Sequence, residues 1–142
     1  MLIITYLSLR IKQKNLFKVD ADIIILGVYY VLVILCYLVF EMIPINYRPV
    51  LIKGFMEASY PSSTTLLVLS VMPTLIFQIK HRLKSIKLQR IITVITTVFC
   101  VFTVVGRLLS GVHWLTDIIG SVLLSEGLFY IYKTACALAL KE

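Results

Sequence analysis

The chain has 142 residues, of which 60% are hydrophobic, and its mean hydropathy is +0.98. A soluble domain is nearer half apolar, so the composition favours an integral membrane protein. The net charge is +7, from 14 basic and 7 acidic residues. In a soluble protein this balance would suggest a nucleic-acid partner. Because the basic residues lie between apolar runs, the positive-inside rule accounts for them and no nucleic-acid partner is expected.

Long apolar runs predict four membrane-spanning helices, over residues 22–43, 62–79, 90–108 and 113–138. Each run is close to the length that crosses a bilayer. Asp20 and Asp22 precede the first helix and are candidates to cap its start. Pro61 fits the first turn of the second helix, and Pro73 inside that helix predicts a kink.

The segment Met1–Leu9 is apolar but too short to cross a bilayer. No basic stretch precedes it, as one does in a signal peptide, and we expect it to be the end of a span whose beginning is absent. The predicted fold class is all-α. It is a polytopic membrane helical bundle with four clear transmembrane helices plus this short segment, forming a single membrane domain over residues 1–142.

The distribution of charge predicts how the spans are oriented. Eleven basic residues fall on one side of the membrane: Arg10, Lys12, Lys14, Lys18, Lys80, Arg82, Lys84, Lys87, Arg90, Lys133 and Lys141. Five of them, from Lys80 to Arg90, are expected to fill the loop between the second and third helices. This side is predicted to be cytoplasmic. Alternating spans then bring the loop 44–61 and the turn 106–113 together on the outer face.

Three ionisable residues in the stretch GRLLSGVHWLTD lie at this outer face: Arg107, His113 and Asp117. Charged groups set against apolar helices are functional candidates. His113 and Asp117 are four residues apart, which predicts that they share one face of a helix. The carboxylate would accept a proton from one imidazole nitrogen and leave the other as a nucleophile or base. The planar fork of Arg107 suits phosphate, so the stretch predicts phosphate chemistry.

Two further pieces are expected at the same face, Asn46-Tyr47-Arg48-Pro49 in the first loop and Tyr60-Pro61-Ser62-Ser63-Thr64-Thr65 at the start of the second helix. With the third piece they resemble the membrane-bound type-2 phosphatidic acid phosphatase superfamily. That superfamily includes bacterial lipid phosphatases and isoprenoid-diphosphate phosphatases. The resemblance covers about residues 41–127.

The family's third motif is Ser-Arg, five residues, His, three residues, Asp. It fits at Arg107, His113 and Asp117, with Gly106 in place of the leading Ser. The first motif is Lys, six residues, Arg-Pro, and it fits at Arg48-Pro49 with Glu41 at the Lys position. The second, Pro-Ser-Gly-His, fits at Pro61-Ser62, with Ser63 in place of Gly and Thr64 in place of His.

The resemblance implies a role for each matching residue. His113 would attack phosphorus and form a phosphohistidine, and Asp117 would orient it. Phosphate would be bound by Arg48, Ser62, Ser63, Arg107 and the backbone amides at the start of the second helix. The role of these amides also follows from physics, since a helix N-terminus offers free N–H groups and a favourable dipole. The sequence holds no metal-ligand cluster, so neither a metal nor another cofactor is expected.

Two departures from the family pattern affect the expected chemistry. Glu41 puts a negative charge where a cation would help to bind phosphate. The resemblance implies that the histidine replaced by Thr64 protonates the leaving group, which a threonine cannot do at neutral pH. Loss of a general acid typically costs about 10²–10⁴ in rate. A phosphate leaving group needs that proton less than a lipid alkoxide does. Activity is therefore predicted to favour lipid diphosphates, such as undecaprenyl diphosphate, over phosphatidate-like monoesters.

The leading predicted function is hydrolysis of a membrane lipid phosphate or isoprenoid diphosphate at the outer face of a bacterial plasma membrane. The alternative is a catalytically impaired homologue that binds lipid phosphate headgroups without turnover; Thr64 and Glu41 favour it, and the retained His113 and Asp117 oppose it. A transporter or an assembly subunit is a third class, and the lack of an inverted repeat disfavours a transporter. The competing interpretation of His113, Asp117 and Arg107 is a structural network that ties the last two helices together.

Overall fold

The computed structural model describes residues 16–139. In this part of the chain the helices are α1 (Leu16–Met42), α2 (Ser63–Arg82), α3 (Ile86–Leu109) and α4 (Leu115–Ala139). Each contains a stretch that is long and apolar enough to cross a bilayer. The predicted all-α membrane bundle is therefore confirmed. The expected span end at Met1–Leu9 lies outside the described residues.

The first helix begins earlier than the sequence predicted. α1 starts at Leu16 rather than at residue 22, so Asp20 and Asp22 lie inside the helix and do not cap its start. The carboxylate of Asp22 instead accepts hydrogen bonds from side chains of α2 and α4. These partners exist only in the packed bundle, which explains why the sequence alone suggested a cap.

The connection between α2 and α3 is much shorter than predicted. Only residues 83–85 separate the two helices, because α2 continues to Arg82 and α3 begins at Ile86. Ser85 is the N-cap of α3, and its hydroxyl accepts the N–H of Leu88. Gln89 Nε2 donates to the carbonyl of Leu83 at 2.6 Å. Of the basic residues expected in this loop, Lys84 alone lies between the helices, and the others extend the helix ends.

The distribution of polar and apolar side chains differs from that of a soluble domain. Large apolar side chains point outward, among them Ile24, Phe102 and Leu123, which are 64%, 76% and 68% exposed. Lipid tails are as apolar as these side chains and can cover them. Many buried side chains carry a hydroxyl group: Ser59, Ser62, Thr65, Ser70, Thr74, Thr96, Ser121 and Ser125. Helix association in the bilayer depends on such small polar contacts and on close packing.

α2 occupies the middle of the bundle, because it packs extensively against both α4 and α3. Two tyrosines of α1 also bond to it: Tyr29 donates to the Ser70 carbonyl at 3.1 Å, and the Tyr30 hydroxyl lies 2.9 Å from Thr74 Oγ1. A small buried apolar cluster joins α1, α2 and α4, and its members are Tyr29, Val33, Leu66, Leu128, Tyr132 and Cys136. This packing holds the starts of α2 and α4 next to each other, where the predicted site lies.

A polar cluster fastens the opposite end of the bundle. Asp22 Oδ2 accepts from Gln78 Nε2 at 3.0 Å and from Arg82 Nη2 at 3.2 Å. Asp22 Oδ1 accepts from Cys136 Sγ at 3.3 Å, and Gln78 Nε2 also donates to the Tyr132 hydroxyl at 2.7 Å. One carboxylate therefore connects three helices.

Replacing Asp22 is expected to loosen this end of the bundle. Asp22→Ala should lower the free energy of unfolding by about 1–3 kcal/mol, because Gln78 and Arg82 lose their acceptor in a partly buried place. Asp22→Asn keeps an acceptor oxygen and should lose less. Thermal unfolding of the detergent-solubilised protein measures both variants. An unchanged Tm in Asp22→Ala would contradict the assigned role of the cluster.

Candidate active site

The loop between α1 and α2 folds back on itself and delivers two short arms to one end of the bundle. The arms run antiparallel. Tyr47 bridges Ala58, the Arg48 N–H donates to the Glu57 carbonyl at 3.1 Å, and the Ser59 N–H donates to the Asn46 carbonyl at 2.9 Å. Gly54, with φ of +83°, lies at the tip, where the chain reverses. The first arm, residues 46–48, and Ser59 on the second arm therefore lie side by side.

His113 lies in the turn between α3 and α4, and not on α4 as the sequence predicted. The helix begins at Leu115, and Gly111, with φ of +67°, turns the chain before it. The helical spacing rule therefore does not describe the pair His113 and Asp117. The Nδ1 atom of His113 lies 3.0 Å from the Ser59 carbonyl oxygen and 3.8 Å from Asp117 Oδ2.

Asp117 explains why α4 begins after His113. Its Oδ2 accepts the backbone N–H of Trp114 at 2.9 Å. This is the reach-back half of a capping box, in which the third residue of a helix satisfies the N–H of the N-cap residue. Its Oδ1 accepts from Asn46 Nδ2 at 3.3 Å. The fully buried carboxylate therefore fixes the start of α4 and one arm of the loop, and also lies beside the imidazole.

The surroundings of His113 select the neutral imidazole with its proton on Nδ1. A carbonyl oxygen can only accept, so the contact with Ser59 requires a donor at Nδ1. The lone pair is then on Nε2, a buried atom for which the described residues supply no hydrogen-bond partner. Burial, followed by the positive charges of Arg48 and Arg107, lowers the pKa of His113 below its ordinary value of 6.5. The Ser59 hydrogen bond and the Asp117 charge oppose this shift without cancelling it.

Arg107 joins α3 to the start of α2. Its Nη2 donates to the hydroxyl of Thr64, the residue in place of the histidine of the second motif. A guanidinium has several N–H donors, so this contact leaves others for an anion. Ser62, the N-cap residue of α2, makes no side-chain bond to the helix backbone, and its hydroxyl pairs with Thr65 Oγ1 at 3.1 Å. The first N–H groups of α2 have no intrahelical partner, as at any helix start, and one of them belongs to Thr64, the residue that Arg107 contacts.

Arg48 already has an anionic neighbour. Its Nε lies 3.3 Å from Glu57 Oε2, on the facing arm of the loop. The side chain of Glu57 is 46% exposed, so water screens this ion pair and limits its strength. A phosphate group that binds Arg48 has to compete with this carboxylate. Glu41, at the family's Lys position, is exposed near the end of α1.

Comparison with known proteins identifies the family. The PAP2 superfamily model matches residues 28–137, which is most of the chain. The chain belongs to the PAP2 superfamily. Membership implies phosphatase-type activity on phosphate esters and suggests lipid phosphates as substrates. No curated protein and no solved structure matches the chain significantly.

The predicted site residues lie at one end of the bundle: Arg48, Ser62, Ser63, Arg107, His113 and Asp117. Hydrogen bonds to backbone carbonyls also connect the starts of α2 and α4, since the Ser62 N–H donates to the Asp117 carbonyl at 3.5 Å, and Ser121 Oγ donates to the Ser62 carbonyl at 3.2 Å. Over residues 16–139 the structure shows no cluster of three or more His, Cys, Asp or Glu side chains that could hold a metal.

Sequence reasoning missed two groups of the candidate site. The Ser59 carbonyl is the nearest acceptor of His113 Nδ1, and a backbone carbonyl leaves no signature in a sequence. Asn46 bonds directly to Asp117, and the only signal was its place two residues before Arg48. Trp114 also connects the start of α4 to the loop, because its Nε1 donates to the Tyr47 carbonyl at 2.9 Å.

A close contact between α4 and the end of the loop accounts for Gly120. A Cβ atom at this position would overlap the ring of Tyr60. The same ring packs edge-on against Phe40, with 5.4 Å between centroids. Since Tyr60 directly precedes Pro61 and Ser62, its position sets where α2 begins relative to α4.

Gly120→Ala is expected to lower the free energy of unfolding by about 1–3 kcal/mol, because the added methyl group overpacks the Tyr60 contact. Gly127→Ala on the same helix is the matched control, since a Cβ there meets no atom within 4 Å. Alanine also favours a helix over glycine by up to about 1 kcal/mol, so the control should be neutral or stabilised. Thermal unfolding in detergent compares the two. Equal losses in both variants would contradict the Tyr60 contact as the cause.

Proposed function

We propose that the chain hydrolyses a lipid phosphate or isoprenoid diphosphate through a phosphohistidine on His113. The observation that carries the proposal is the state of the imidazole. It is buried, neutral and held at Nδ1 by the Ser59 carbonyl, with the lone pair on Nε2 and two arginines close enough to lower its pKa. A nucleophile needs this arrangement, whereas headgroup binding alone does not.

In the first step the Nε2 lone pair attacks phosphorus. A P–N bond forms while the P–O bond to the leaving group breaks, and the electron pair of that bond stays on the leaving oxygen. The imidazole ring, still protonated at Nδ1, becomes positively charged. The Asp117 carboxylate, 3.8 Å from Nδ1, stabilises this charge by attraction.

Positive groups at the start of α2 balance the charge on the phosphoryl oxygens. Arg48 and Arg107 offer guanidinium donors, and the first amides of α2 offer N–H groups with a favourable helix dipole. In the second step water attacks the same phosphorus, the P–N bond breaks, and its electron pair returns to Nε2. The products are orthophosphate and neutral His113, with the released proton passing to solvent.

The position of Thr64 directs the choice of substrate. Its hydroxyl bonds to Arg107 and has no acidic proton to give at neutral pH. A monoester would have to release a lipid alkoxide unaided, whereas a diphosphate releases a lipid monophosphate that is stable as an anion. We therefore propose that lipid diphosphates are preferred. Lys80 and Arg82 at the end of α2, and Lys87 and Arg90 at the start of α3, lie away from this site. By the positive-inside rule this supports a site on the outer face of a plasma membrane.

A second candidate function is binding of lipid phosphate headgroups without turnover. The contacts of the two arginines favour it, because neither contact involves a group that protonates a leaving group at neutral pH. Arg48 pairs with Glu57 at 3.3 Å, and Arg107 bonds to Thr64. Both guanidinium groups can still bind a phosphate headgroup, in competition with Glu57 at Arg48, but neither supplies a proton to a leaving group.

Detergent-purified protein is expected to release phosphate from a long-chain isoprenoid diphosphate at least about 100-fold faster than from phosphatidate, because the monoester suffers fully from the missing acid. His113→Ala should abolish release. A substrate labelled in its terminal phosphate should transfer the label to the wild type and not to this variant. Equal or faster turnover of phosphatidate would refute the preference. Binding without release, by folded protein, would favour the second function.

The acidic limb of kcat/KM is expected below pH 6.5, because the pKa of His113 is lowered, first by burial and then by Arg48. Below that pKa the protonated ring has no lone pair on Nε2, so activity falls as the pH falls. Arg48→Gln removes one cause and should move the limb to higher pH. Lys53→Gln, at the tip of the loop, is the control and should leave the limb unchanged.

The wild type and both variants are compared by pH profiles of kcat/KM with one diphosphate substrate. Titration of the substrate is then the same in every profile. A limb that stays in place in Arg48→Gln would show that this arginine does not act on the imidazole.

A further inference from the structure

We propose that Asn46 is a positioning residue for the pair His113 and Asp117, an inference that rests on the proposed phosphohistidine chemistry. Asn46 occupies one of the six unspecified positions of the first motif, between Glu41 and Arg48. It contacts neither the imidazole nor the predicted phosphate-binding groups through a described hydrogen bond. It acts instead on the two acceptors that face His113 Nδ1, the Asp117 carboxylate and the Ser59 carbonyl.

The side chain of Asn46 has only one consistent orientation. Its Oδ1 accepts the backbone N–H of Tyr47 at 3.0 Å, and its Nδ2 donates to Asp117 Oδ1 at 3.3 Å. A backbone N–H can only donate and a carboxylate accepts, so the two neighbours fix opposite ends of the amide. The amide is thus oriented before any substrate binds.

The main chain of Asn46 positions the second acceptor. Its carbonyl accepts the N–H of Ser59 at 2.9 Å, and the carbonyl of that same residue lies 3.0 Å from His113 Nδ1. Asn46 therefore holds Ser59 through its backbone and Asp117 through its side chain. A shift of this one residue would move both groups that face the imidazole proton.

The neutral amide also suits the charge that develops in the reaction. Asp117 receives the Asn46 amide on one oxygen and the Trp114 N–H on the other, and neither donor carries a charge. A lysine or an arginine in place of Asn46 would pair with the carboxylate. Such a pair would weaken the attraction that Asp117 offers to the positively charged phosphohistidine.

Asn46→Ala and the isosteric Asn46→Asp both remove the donor to Asp117. We expect each to lower kcat with the diphosphate substrate by as much as about 100-fold, as small displacements of a catalytic group do, while KM changes little. In the Asp117→Ala background, Asn46→Ala should cost no further kcat, because alanine keeps the backbone carbonyl that holds Ser59 and removes only the amide that acts through that carboxylate. Lys53→Gln is the loop control. Full additivity of the two variants, or a change confined to KM, would overturn the proposal.

A spectroscopic readout separates this inference from the proposed activity. In protein labelled with ¹⁵N-histidine, the hydrogen-bonded Nδ1–H signal of His113 can be assigned by its absence in His113→Ala. We expect Asn46→Ala to shift or broaden this signal, whether or not the wild type releases phosphate. A shifted signal in an inactive protein would reject the proposed function and keep the positioning role. An unchanged signal, in variants that unfold at the wild-type temperature, would reject the positioning role.

Discussion

The buried carboxylate of Asp117 is the group on which the arrangement of the site depends. A charge removed from water needs donors and opposite charge close by. Asp117 obtains them from the backbone of Trp114, from the Asn46 amide and from the neighbourhood of His113. The same carboxylate therefore stabilises the start of α4, the position of the loop and the placement of the imidazole. A substitution of Asp117 is expected to disturb all three.

Much of the fold could be predicted from the sequence, and the helix ends could not. Apolar runs of bilayer length leave few alternatives to spanning helices, because unpaired backbone groups are too costly in lipid. Asp22 resembled a cap because its partners, Gln78, Arg82 and Cys136, lie far away in sequence. The basic residues around Lys84 resembled a loop because their charge does not reveal that helical backbone continues beneath them.

Motif spacing points to the residues of the candidate site but not to their geometry. Motif spacing selected Arg107, His113 and Asp117, but helical spacing placed the last two on one helix face. The reach-back bond of Asp117 to Trp114 starts the helix after His113, and the imidazole turns to the Ser59 carbonyl instead. The pairing of Arg48 with Glu57 was equally hidden, since it requires the loop to fold back on itself.

The three-residue connection between α2 and α3 has a consequence for how deeply the site lies in the bilayer. So short a link, with its carbonyl at Leu83 held by Gln89, prevents the two helices from sliding along each other. They are therefore expected to enter the membrane as one helical hairpin. Thr64 and Arg107 lie at the far ends of that hairpin, so their height relative to the plane of the lipid phosphates is set from the opposite membrane surface. The distance from the candidate site to that surface is therefore set by the lengths of α2 and α3 and by the short turn that joins them.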